Sequence, residues 1–272
     1  MMFDGLDISI LGPAFVAGLL VLSTHVPMGQ KVLSRGIIFI DLAIAQIAGL
    51  GVIAAHSFGW EPNGWAVQGV AVAAALAGAF LLNWTEQHFR EIQEALIGVL
   101  FVLAATGGIL LLSHNPHGGE HLKELLVGQI LWVSYQQLIP TAILYALILA
   151  FWFRSQHHRS LSFYILFALT VTASVQMVGV YLVFSSLIIP ALAVRQARRN
   201  ALLYAYLTGA LSYAMGLIAS AIFDLPTGAV IVWSLGILAV ITAGFIQYRS
   251  TRVAEGKGIN GKVLEPCVEA EN

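Results

Sequence analysis

Long apolar runs, each close to the length needed to cross a bilayer, follow one another along almost the whole chain. A helix needs about 20 apolar residues to span a hydrocarbon core of ~30 Å. Runs at 8–26, 36–57, 64–83, 94–113, 136–153, 161–177, 179–194, 200–222 and 228–247 meet or approach that length. They lack the two-residue alternation of barrel strands, and an open strand edge has no hydrogen-bond partner in lipid. The expected fold is all-α, a polytopic transmembrane bundle of about 8–10 spans.

Composition narrows the function classes. Of 272 residues, 58% are apolar and 10% charged, where a soluble domain carries about 25% charged residues. That excludes an ordinary soluble enzyme and a disordered chain. With 13 Lys and Arg and a net charge of −1, there is no basic track for nucleic acid. The single cysteine, Cys267, rules out a disulfide framework within one chain. The first run is not read as a cleavable signal, because Asp4 and Asp7 precede it where a basic segment should stand.

The stretch 161–194 decides the topology. As one helix it would be about 51 Å long, far more than one crossing requires. Arg154 and Arg159 precede it, and Arg195, Arg198 and Arg199 follow it. Both sets favour the cytoplasm, so the chain must cross an even number of times between them, with a turn near Gln176 to Gly179. Nine crossings result, with the N-terminus outside and the C-terminus inside, and 12 of the 13 basic residues become cytoplasmic, leaving Lys123 outside. Residues 1–248 form one membrane domain, and the polar segment 249–272 is expected to be a disordered cytoplasmic tail. Gly256 to Lys262 spells G-x-x-x-x-G-K, but Val263 replaces the required Ser or Thr and no strand precedes it. It is not read as a nucleotide site.

Four sets of residues are candidates for function. The loop Ser113 to Glu124 places His114, His117, Glu120 and His121 within eight residues, an imidazole and carboxylate set suited to a divalent transition metal. Solvated histidines in a polar turn are the plain alternative, and Gly118 and Gly119 oppose a helix there. Asp41 is the one carboxylate clearly inside a span, and a buried carboxylate in lipid is a functional candidate by default. The alternative is a pairing with Lys31 or Arg35 near the interface. Gln46 lies five residues on, about 140° around the helix. Thr170, Ser174 and Met177 form a stripe at i, i+4, i+7, either lining a path or joining neighbouring helices. His25, His56 and His88 read as unremarkable residues near span ends, and Glu86, Arg90, Glu91 and Glu94 as a charged cytoplasmic turn.

Three segments resemble one family. Glu94 to Ser113 (EALIGVLFVLAATGGILLLS), Val178 to Arg199 (VGVYLVFSSLIIPALAVRQARR) and Phe223 to Trp233 (FDLPTGAVIVW) look like conserved blocks of the ABC-transporter permeases for zinc, manganese and iron. Gly128 to Ser134 (GQILWVS) fits a fourth. The resemblance implies a homodimer of type II importer fold in the bacterial inner membrane. It also implies two separate cytoplasmic ATPase subunits and an extracytoplasmic binding protein that delivers metal. In that reading Pro190, Arg195, Arg198 and Arg199 belong to the segment that couples to the ATPase. The family usually carries Asp followed four residues on by His in span 2; here Asp41 is present and Ala45 stands at the His position.

The leading expectation is a permease subunit, not an enzyme, carrying a divalent metal, with Zn²⁺ favoured because His114, His117, Glu120 and His121 suit it. The metal is cargo, and no cofactor is expected. The competing readings are a gradient-driven secondary transporter using Asp41 as ion carrier, and a membrane metalloenzyme using the His-rich loop.

Overall fold

The computed structural model describes residues 8–57, 59–60, 64–113, 115, 118–154, 160–197 and 200–261. Among these there is no strand, and the elements are ten α-helices with two short 3₁₀ turns. The helices are α1 (Ile8–Arg35), α2 (Ile40–Ser57), α3 (Trp65–His88), α4 (Gln93–Leu112), α5 (Gly118–Val127), α6 (Tyr135–Arg154), α7 (Ser160–Val178), α8 (Val180–Ala193), α9 (Ala201–Phe223) and α10 (Thr227–Gly261). Eight are long and apolar enough to cross a membrane, and α8 is a shorter apolar helix. At 14 residues, α8 is about 21 Å long, less than a full hydrocarbon core. Exposed aromatic side chains ring both ends, with Trp60, Trp65, Trp132 and Tyr135 at one and Trp84, Phe89, Phe153 and Tyr248 at the other, as expected of amphipathic rings at lipid–water interfaces.

The helices sort into two bundles. One packs α2, α3, α4 and α7 together, and the other α1, α8, α9 and α10. Helices α2, α7 and the short α8 lie deepest, each more than half buried, whereas α6 and α10 are mostly exposed. The Arg35 end of α1 meets the C-terminal end of α3 and the start of α7 through Glu86 and Ser160. Helix α9 runs antiparallel to α1, since Gly209 meets Leu22 and Gly18 meets Tyr213. Helix α10 returns with Arg249 beside Tyr204. Seven Lys and Arg have described side chains; Lys31, Arg35, Arg90, Arg154, Arg195 and Arg249 lie toward this end, and Lys123 lies toward the other.

Several boundaries differ from the expectations. Helix α1 does not stop at Val26; it continues through Pro27 to Arg35. Proline lacks an N–H and leaves the carbonyl four residues back without a helical partner. Here that carbonyl is Ser23's, and the Tyr206 hydroxyl of α9 donates to it at 2.9 Å. A neighbouring helix thus satisfies the break, which is what lipid demands. Segment 118–121 is helical in spite of its two glycines, in a helix that packs on α4, α7 and α8. The polar stretch after Arg249 continues as helix to Gly261, so α10 is about 52 Å long; residues 262–272 lie outside the described residues.

The turn expected near 176–179 is a single residue, Gly179, at φ 82°. It fits against Gly128, at φ 74°, in the loop after α5. A Cβ on Gly179 would sit 2.6 Å from the Val127 carbonyl carbon, and one on Gly128 would sit 2.5 Å from the Gly179 nitrogen. Gly228, at the start of α10, closes on the same Val127 carbonyl oxygen, where a Cβ would be 2.8 Å away. Three segments therefore meet backbone to backbone at the end opposite Arg35.

Two stability tests follow from these contacts. Gly179→Ala should lower thermal stability in detergent by about 2 kcal/mol or more, since it adds a left-handed penalty of ~1–2 kcal/mol to a backbone collision. A Gly236→Ala control, with open space around its Cβ, should not. Tyr206→Phe should cost about 1 kcal/mol. It should cost measurably less in a Pro27→Ala background, where Ser23's carbonyl regains its helical donor.

Candidate functional site

Charged and polar side chains gather at the Arg35 end, where α2, α3 and α4 meet. Helix α1 stops because Gly36 takes φ 73°, with its N–H bonded to the Val32 carbonyl at 3.1 Å, a glycine C-terminal cap. Four residues later α2 begins. Its first N–H groups have no helical acceptor, and Glu94 of α4 supplies one, with Oε1 accepting the Phe39 N–H at 3.2 Å. A carboxylate at this positive helix end is electrostatically favoured. Asp41, in the same first turn, is 1% exposed.

Asp41 is not paired with Lys31 or Arg35. Arg35 turns instead to Glu86, at 3.6 Å, donates to Ser160 at 3.4 Å, and lies 4.4 Å over the Phe163 ring. Ser160 also donates to Glu86. Beside this cluster the Gln93 amide donates to the Leu82 carbonyl at 3.0 Å and to the Tyr164 hydroxyl at 3.4 Å. The residues expected to form a solvated charged turn are thus divided. Glu86 ties α3 to α1, Glu94 caps α2, and Arg90 and Glu91 stay exposed.

Gln46 lines a cavity of about 10 Å³ further along α2, with Ala45, Leu122 and Leu125 of α5, Val175 of α7 and Val180 of α8. That is about one water's space, and Gln46 is the sole residue with a hydrogen-bonding side chain in its lining. The stripe on α7 is buried, but its hydroxyls serve packing. Thr170 donates to Leu166 and Ser174 to the Thr170 carbonyl, at 2.8 Å each. Tyr145 of α6 bonds Ser174 and the Thr170 carbonyl. Met177 is 9% exposed and joins the apolar core. This geometry matches the helix-joining alternative.

In the histidine-rich segment, His114 and His117 lie outside the described residues, and His121 is placed only as a residue of α5. Glu120 is exposed in the first turn of α5. Among the described residues no group of three or more His, Cys, Asp or Glu could hold an ion. Pro190 is buried inside α8 and Arg195 is exposed in the turn beyond it; Arg198 and Arg199 lie outside the described residues.

One residue was passed over by sequence reasoning. His25 is not at a span end; it is fully buried within α1. Nδ1 donates to the Val21 carbonyl at 2.8 Å, which leaves Nε2 buried without a partner. The signal was present in Pro27, had it been read as a residue a membrane helix tolerates.

Comparison with known proteins now bears on the fold. A family model described as the ABC 3 transport family matches residues 7–159 and 155–246. The chain belongs to the ABC 3 transport family. It is 28% identical over 206 residues to a protein of Haemophilus influenzae named "Probable iron transport system membrane protein", covering 66% of this chain and 76% of that one. It is 27% identical over 253 residues, 84% of each chain, to the manganese transport system membrane protein MntC of Halalkalibacterium halodurans. Among solved structures, PsaBC from Streptococcus pneumoniae in complex with Fab superposes with a TM-score of 0.71 at 19% identity, covering 89% of this chain and 94% of that chain. The fold of this family member is thus the all-α bundle of an ABC importer permease, and its work is transport.

The Arg35 cluster carries its own test. Arg35→Ala should lower thermal stability in detergent by about 1–3 kcal/mol, because it leaves Glu86 half-buried without its cation. Arg35→Lys should recover part of the loss, having the charge but not the planar fork that lies over Phe163.

Proposed function

We propose that this family member is the membrane subunit of an ATP-driven importer for a divalent first-row metal, Mn²⁺ or Fe²⁺ ahead of Zn²⁺. Two copies form the path, separate cytoplasmic ATPase subunits drive it, and an extracytoplasmic protein delivers the ion. The observation that carries this reading is the family match across nearly the whole membrane domain. Relatives named for iron and manganese transport support the metal class. The zinc expectation rested on His114, His117, Glu120 and His121, and imidazole and carboxylate bind all of these metals.

The end bearing Arg35, Arg90, Arg154, Arg195 and Arg249 is read as cytoplasmic by the positive-inside rule. That puts the N-terminus outside and Lys123 on the outer side of a bacterial inner membrane. Arg195, with Arg198 and Arg199, then lies where an ATPase subunit docks. On the path, Asp41 is the buried carboxyl group that meets the cargo and Gln46 the polar group further along α2. The outer His114, His117, Glu120 and His121 collect metal at the entrance. Helix rocking alternates access, and binding stays weak enough for release.

Uptake of ⁵⁴Mn, ⁵⁵Fe and ⁶⁵Zn in cells lacking their own importers, with the cognate ATPase and binding protein co-expressed, tests this. Wild type should restore Mn²⁺ or Fe²⁺ uptake. Asp41→Asn should reduce it at least tenfold with normal membrane abundance. The triple replacement of His114, His117 and His121 by Ala should reduce it only at limiting metal. Uptake that persists without the ATPase subunit would overturn the reading.

A further inference from the structure

Several polar contacts hold helices of the same bundle together. Ser186 with Tyr213 at 2.8 Å joins α8 to α9, and Thr208 with Thr242 at 2.9 Å joins α9 to α10. In the other bundle Gln93 with Tyr164 at 3.4 Å joins α4 to α7. The Arg35 cluster is different, because it crosses from one bundle to the other. Arg35 ends α1, whereas its partners Glu86, Ser160 and Phe163 belong to α3 and α7.

The two ends of the seam between the bundles are built differently. At the end opposite Arg35, α7 of one bundle passes into α8 of the other through a single residue, Gly179, at φ 82°. Gly128 meets it backbone to backbone, and Gly228 of α10 closes on the Val127 carbonyl. At these three glycines there is no side chain to swing aside. At the Arg35 end the covalent link is residues 36–39, which reach at most ~14 Å when extended. It begins at Gly36, at φ 73° with open space around it. Side chains bridge the seam here: the Arg35–Glu86 pair at 3.6 Å, the guanidinium 4.4 Å over Phe163, and Phe39 stacked on Phe184 of α8 at 6.3 Å. The Arg35 and Glu86 side chains are 17% and 18% exposed. Water can therefore take each partner's place as they separate, which a fully buried pair does not allow without a large desolvation cost.

We propose that the Arg35–Glu86 pair is a latch holding the two bundles together at this end, and that the bundles part there by turning about the Gly128–Gly179 junction. Hinges are a few residues at element ends that absorb the backbone change. Gly179 and Gly36 occupy such positions, one at each end of the seam, so the bundles move as rigid bodies and no helix has to bend. The latch acts on a population: the pair exists in the closed arrangement alone, and removing it shifts the balance toward the parted one. Its use as an inner gate rests on the transport reading, in which this end faces the ATPase subunits.

Spin-label distances in the full-length permease in nanodiscs test the motion itself. Cys267, the single cysteine, is replaced by Ser, and labelled chains are diluted with unlabelled ones so that only distances within a chain are read. One label pair spans the seam at the latch, on the exposed residues Ser34 of α1 and Gln87 of α3. A second spans it at the other end, on exposed Ala66 of α3 and Leu225 between α9 and α10. Glu86→Gln keeps the side chain's shape and an oxygen for Ser160, and Glu86→Lys sets two cations against each other. The Ser34–Gln87 distance should lengthen by about 5 Å or more, within the reach of the 36–39 link, in a larger fraction of chains for Glu86→Lys than for Glu86→Gln. The Ala66–Leu225 distance should stay as in wild type. A Ser34–Gln87 distance indifferent to both substitutions would overturn the latch. Lengthening of both pairs would overturn the pivot, since it means general loosening. These distances are read without transport, so failure of the uptake assay and failure of the latch are distinguishable.

Discussion

Inside a bilayer no water rescues an unpaired backbone group, and that requirement orders this molecule. It forces helices, and it makes each helix interruption a place where another element must intervene. At Pro27 the intervening group is the Tyr206 hydroxyl, received by the Ser23 carbonyl. At the start of α2 it is the Glu94 carboxylate, which accepts from the Phe39 N–H. These are contacts between distant parts of the chain, 183 and 55 residues apart. The interruptions therefore fix tertiary structure, while the uninterrupted spans fix only its general class.

The same logic separates packing polarity from functional polarity. Thr170, Ser174 and Tyr145 form a closed set in which every hydroxyl has a partner. Ser186 with Tyr213, and Thr208 with Thr242, join helices in the same manner. Such pairs hold helices that lipid would otherwise solvate equally well apart. Asp41 and Glu94 differ because an oxygen of each is left over.

Much of the fold was legible in the chain because span length and charge asymmetry are local signals. The even crossing across 161–194 followed from Arg154 and Arg195, and Gly179 supplied the turn. The end of α1 was misplaced because Pro27 reads as a terminator in water and is tolerated in lipid, and with that error His25 was assigned to an edge. Of the candidate site, Asp41 was visible from its own neighbours. Glu94 was not, since its sequence context is a charged turn and its role appears only when α4 lies beside the start of α2. The helical start of α5 at Gly118 was hidden for the same reason: the helices it packs on, α4, α7 and α8, are remote from it in sequence or set only by the fold.

The meeting of Gly128 with Gly179 has a consequence for how such a chain can diversify. Each backbone occupies the volume where the other's side chain would grow, so enlarging one residue cannot be relieved by shrinking its partner, which is already the smallest available. Compensating pairs of replacements, the usual route by which touching residues drift together, are closed at this point. Novelty in this permease has to enter through the walls around that junction and leave the joint itself as it is.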